Sequence, residues 1–92
     1  MNSNEIDIIY KYDKNLNKIK LFGENFVNNN KNNCILLINN DLKELCEYYE
    51  IKENKNITVK LIEKNKMRDV SYMFYECKSL LSIINFSKCY GI

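Results

Sequence analysis

The chain has 92 residues, is 46% hydrophobic and 28% charged, and carries a formal net charge of only +2. That length allows one domain or a piece of one, and the apolar content argues against a wholly disordered chain. With no histidine, the usual general base, the commonest metal ligand and the activator of Ser or Cys nucleophiles are all missing.

In chain order, Ile6, Ile8 and Tyr10 alternate with Asp7, Ile9 and Lys11, the period-two mark of a half-buried strand. Asp13-Lys14-Asn15 is turn chemistry, and Ile19, Leu21 and Phe22 resume the apolar pattern, so residues 5–22 are expected to form a hairpin. Gly23 breaks it. Phe26, Val27 and Asn30 then fall at helical spacing, giving a short helix over about 24–31. Cys34 to Ile38 is an apolar run of strand length, and Asn39-Asn40-Asp41 is either a turn or a helix cap. Residues 42–50 suit two readings. Leu42, Leu45, Cys46 and Tyr49 sit at i, i+3, i+4, i+7, as in a helix, but the Tyr-rich stretch to Ile51 suits the return arm of a hairpin. A short return strand followed by a helical turn is the preferred reading. Lys52 to Asn56 is a polar loop.

Ile57, Val59 and Leu61 alternate with Thr58 and Lys60 and predict a strand over 57–62. Val70, Met73, Phe74 and Cys77 then repeat at i, i+3, i+4, i+7 behind Asp69, which predicts a helix over 69–78 with one apolar stripe. Leu80, Ile83 and Phe86 mark a last strand over 80–86. Ile57 and Leu80, like Leu61 and Ile84, are 23 positions apart, a spacing within the range of a leucine-rich solenoid.

Asn, Lys, Ile, Tyr and Phe, residues of A- and T-rich codons, make up more than half the chain, which points to an AT-rich genome. The Asn-rich stretch 28–33 then reads as a solvated surface. Cys34, Cys46, Cys77 and Cys89 form no C-x-x-C pair and read as small buried hydrophobes. Cys46, between Glu44 and Glu47, is expected to have a raised pKa, the opposite of an activated thiol. The basic stretch Lys60, Lys64, Lys66 and Arg68 is interrupted by Glu63 and Asp69, so no concentrated basic face is visible and nucleic acid is not an expected partner. No run approaches the roughly 20 apolar residues of a membrane span, and the first residues resemble no export signal. A cytoplasmic location is the default expectation.

Residues 70–90, V-S-Y-M-F-Y-E-C-K-S-L-L-S-I-I-N-F-S-K-C-Y, resemble one repeat of the BspA-like leucine-rich repeat proteins of bacteria and protists, whose pattern is M-x-x-M-F-x-x-C-x-x-L-x-x-L. Met73, Phe74, Cys77, Leu80, Ile83 and Phe86 stand at the signature positions, Val70 replaces the first Met, and Cys89 stands where an aromatic is usual. Residues 21–34 and 45–51 are similar to the small N-terminal domain that precedes the repeats in protist members. The resemblance implies an α+β fold: a β-rich cap over 1–56, with a hairpin, a short helix and further strands, leading into one strand–helix–strand repeat unit over 57–92. Family members carry many repeats and this chain offers one. Its C-terminal side is therefore expected to be open, with Phe74, Leu80, Ile83 and Phe86 partly exposed, because the chain is truncated or because it associates through that edge.

The expected function is a non-catalytic protein-interaction module that presents a strand edge and an apolar face, needs no cofactor, and binds protein partners, further repeats or itself. A weak nucleic-acid binder using Tyr10, Tyr12, Tyr48, Tyr49, Tyr72 and Tyr75 with interleaved lysines is the alternative. An enzyme built on a cysteine or on Glu44, Glu47 and Glu50 is a third reading, against which that spacing is the ordinary pattern of solvated charge.

Overall fold

Alternation does build strands where the pattern is strictest. The computed structural model describes residues 4–84. Its elements are β1 (Asn4–Tyr10), β2 (Lys18–Lys20), α1 (Glu24–Asn30), β3 (Cys34–Ile38), β4 (Asp41–Glu44), β5 (Tyr48–Glu50), β6 (Ile57–Glu63) and β7 (Leu80–Ile84). Five strands form an antiparallel sheet in the order β4-β3-β6-β1-β7, and β2 pairs with β5 in a separate two-stranded sheet. The larger sheet draws β1, β3 and β4 from before residue 56, and β6 and β7 from after it.

Ile6, Ile8 and Tyr10 of β1, Cys34, Leu36 and Ile38 of β3, and Ile57, Val59 and Leu61 of β6 are buried on one face of that sheet. Phe26 and Val27 of α1, Ile19, Leu21, Phe22, Leu45, Tyr49, Met67 and Met73 complete the same core as an irregular second layer. The register sets Leu36 beside Leu61 and Leu61 beside Ile6, so apolar rows run unbroken across the three central strands. Asn39 and Asn40 both have positive φ, 52° and 67°, and form the two-residue turn between Ile38 and Asp41. Asparagine tolerates that conformation, and such turns match the twist of a hairpin. Asn39-Asn40 is therefore a turn, and 41–44 is the return strand.

Several expectations are corrected. The fold is mostly β, with one short helix among the described residues, and not the α+β cap and strand–helix–strand unit. Residues 5–22 do not form a hairpin: β1 is flanked by β6 and β7, and β2 turns beneath the sheet to pair with β5. The buried Tyr10 hydroxyl holds that crossing, donating 2.6 Å to the Leu21 carbonyl. No helical turn follows β4; the chain passes through Leu45 to Glu47 directly into β5.

The largest correction concerns 69–78, which is a chain of tight turns and not a helix. Asp69, Tyr72 and Glu76 have φ of 40°, 57° and 57°, and each such residue ends a right-handed helix. The amides of Met73, Tyr75 and Cys77 reach only the carbonyl three residues back, at 3.1–3.2 Å. Met73 and Cys77 are nonetheless buried, because a turn repeating every three to four residues returns side chains to one side much as a helix does. Strands 57–63 and 80–84 are also not neighbours. Both run antiparallel to β1, which lies between them, so they share a direction but no ladder. Among the described residues the stacked-rung arrangement is absent.

Candidate interaction surface

The six residues marked by the repeat signature divide between core and edge. Met73 and Cys77 are buried, Phe74 is half-buried with its ring 5.7 Å from Phe22, and Leu80 and Ile83 are partly buried against the core. Phe86 lies outside the described residues, as does Cys89. Ile83 pairs across from Ile8, and Leu80 from Tyr10, so both face the inner side. What the pattern passed over are Leu81 and Ile84, 52% and 46% exposed on the same strand. Alternation counted from Ile83 puts Ile84 outward, whereas alternation counted from Leu80 would put it inward. Leu81 is displaced by the irregularity at Ile9/Tyr10.

The two edges of the five-stranded sheet differ in chemistry. β4, Asp41-Leu42-Lys43-Glu44, has three charged residues of four. β7, Leu80-Leu81-Ser82-Ile83-Ile84, has none. Charged edge residues discourage a further strand from pairing, and uncharged β-prone ones permit it. Among the described residues β7 pairs with β1 alone.

The sheet's outer face adjoins that edge. One row crosses it as Leu42, Leu37, Lys60, Asp7 and Ile84. Ile9, Ile35, Leu37 and Ile62 are half-buried there, around a polar centre in which Lys60 Nζ lies 3.2 Å from both Glu5 and Asp7. Hydrogen bonds to Glu5 and Asp7 raise the Lys60 pKa above its usual value.

The thiols are poor nucleophiles. Burial pushes Cys34 up to about 12 and Cys77 up to about 11. Cys46 is raised as well, and burial is the cause in place of its flanking carboxylates, with Lys43 acting against it. Burial likewise raises the Tyr10 phenol. Among the described residues no group of three or more Cys, Asp or Glu is placed to hold a metal ion, and no helix is long and apolar enough to cross a membrane.

The proposed stacking tyrosines separate into two groups. Tyr10 and Tyr49 are buried, whereas Tyr48, Tyr72 and Tyr75 are 46%, 64% and 55% exposed, and Tyr12 is intermediate. Glu44, Glu47 and Glu50 lie on no helix, and Glu47 is 3.5 Å from Lys20. Comparison with protein-family models, curated proteins and solved structures finds no match. The resemblance to the BspA-like proteins thus rests on the quoted residues alone.

Proposed function

We propose that the chain is a non-catalytic protein-binding module whose site is the side of β7 that no strand pairs among the described residues, with the adjoining outer face of the sheet. The observation that carries this reading is the contrast between the sheet's edges, one charged and one wholly uncharged with two half-exposed aliphatic side chains. A partner segment adding to β7 gains main-chain hydrogen bonds along the strand and seats its own side chains beside Leu81 and Ile84. A second copy of the chain satisfies the same geometry. The raised thiols and the lack of histidine support a binding role over catalysis.

Light scattering over a range of protein concentrations, with binding of a hydrophobic dye, tests the reading. The expected result is concentration-dependent association and dye binding, both reduced in Leu81→Lys, since a charge on the edge opposes pairing. A strictly monomeric protein that binds no dye would overturn it.

A further inference from the structure

The sequence shows no concentrated basic face, but folding brings lysines and tyrosines together on one surface from segments far apart in the chain. In the β2–β5 sheet Ile19 and Tyr49 face each other and are buried, so Lys18, Lys20, Tyr48 and Glu50 face outward. Lys18 Nζ lies 4.6 Å from the Tyr48 ring centre, and Lys20 Nζ lies 5.6 Å from that of Tyr75. Tyr75 in turn meets Tyr72 edge to face, with centres 5.8 Å apart. The turns at 69–78 place these last two rings, and Gly23 allows the approach. Its N–H donates 2.8 Å to the Met73 carbonyl, and a Cβ there would collide with the Tyr72 carbonyl oxygen. Beside Tyr48 the surface deepens into an open groove of about 1060 Å³, where Tyr12, Lys14 and Lys52 join Lys18. Glu47, paired with Lys20, and Glu50, which lines the groove, are acids of this surface, and Asp13, Glu53 and Glu76 adjoin its residues in the chain.

We propose that this surface binds single-stranded nucleic acid, with bases stacking on Tyr48, Tyr75 and Tyr72 and phosphates meeting Lys14, Lys18 and Lys52. Half-exposed rings set among ammonium groups match the alternation of base and phosphate along a strand. Stacking on aromatic rings is tolerant of sequence, because every base has a flat face. An acidic peptide would use the lysines and leave three aromatic rings idle, which is why the strand is favoured. The surface is separate from β7, so failure here leaves the edge reading untouched.

The test is fluorescence anisotropy of labelled oligo-dT and oligo-U with the full chain at 50 and 200 mM salt. The expected result is saturable binding weakened by salt, and a loss of roughly 5- to 100-fold in affinity for Tyr48→Ala or Tyr75→Ala. Tyr48→Phe should keep most of the affinity, since the ring remains. Lys18→Ala should lower the slope of log affinity against log salt by about 0.7, one phosphate contact. Circular dichroism of each variant separates lost binding from lost fold. The proposal would be overturned by no binding, by equal competition by poly-glutamate, or by equal affinity for a nucleoside monophosphate. Tyrosine variants that fold and bind as the parent does would overturn it too.

Discussion

The central strands and the segment 64–79 are stabilised in opposite ways. β1, β6 and β3 hold one another through continuous ladders, with every second residue buried. Segment 64–79 has no ladder and is pinned at a few points. Fully buried Asn30 donates to the carbonyls of Phe26 and Arg68, at 3.1 and 2.7 Å, and accepts from the Arg68 amide at 2.7 Å and from Asn33. Glu63 accepts from the Met67 amide at 2.7 Å, and Gly23 donates to Met73. A ladder spreads its stability over many equivalent bonds, whereas a pinned loop concentrates it in a few side chains.

The largest expected effect lies where the two regions meet. The fully buried Phe22 ring packs at a tilt against Phe26 of the helix, with centres 5.4 Å apart, and against Phe74 of the loop, with centres 5.7 Å apart. Phe22→Ala should cost about 3–5 kcal/mol in a denaturant titration and lower the whole transition, because both sides lose their shared contact. A two-step transition in this variant would show that loop and sheet are separate cooperative units.

Next is Asn30→Ala, expected to cost roughly 2–3 kcal/mol because the Arg68 amide and carbonyl lose their partner in a partly buried site. Hydrogen exchange sharpens the contrast between regions. Protection should fall first at 66–69 and stay high in β1 and β6. Uniform loss of protection would mean that the loop is not held point by point.

Legibility in the sequence follows the same division. The strand expected over 57–62 and the helix expected over about 24–31 were readable because each obeys one local period, and the strand at 34–38 because its apolar run has strand length. Pairing was not readable: nothing in Ile19 says that its partner is Tyr49 and not β1, since that choice depends on which edges β6 and β7 occupy. The stripe Val70, Met73, Phe74 and Cys77 misled for a related reason. Inward residues recur at i, i+3 and i+4 in a helix, but also in successive turns, and only the positive φ at Asp69, Tyr72 and Glu76 distinguishes them. Asn30 was read within an Asn-rich surface stretch, although its place on the apolar stripe with Phe26 and Val27 marked it as inward-facing. Of the tyrosine surface, the residue types were visible and their convergence was not.

A smaller effect, of pH, acts on both regions. A buried thiol whose folded pKa lies above its unfolded value keeps its proton in the fold, and releases it on unfolding once the pH passes the unfolded value. Stability therefore falls as pH rises from the ordinary 9.0 toward about 12 for Cys34 in β3, and toward about 11 for Cys77 in the loop. By pH 10 each thiol should account for about 1 kcal/mol, so Cys34→Ala should lose less stability between pH 8 and 10 than the parent does. Parallel curves for the two proteins would show that Cys34 is not protected from ionising.

The smallest effect tests whether charge contributes to the sheet at all. Lys60 bridges Glu5 and Asp7 on the outer face with about a third of its side chain exposed, so solvent screens the pair. Lys60→Met should change stability by less than about 1 kcal/mol, and the difference should shrink in high salt. The sign with pH is fixed by the raised lysine pKa. Its stabilisation is fully present below the ordinary 10.5 and is lost as pH rises through the folded value, so the two proteins should converge in strong alkali. A loss of several kcal/mol at neutral pH would mean that the outer face holds the strands in place of the inner one. The ladders would then resemble the loop in depending on a single side chain, and the contrast between the two regions would disappear.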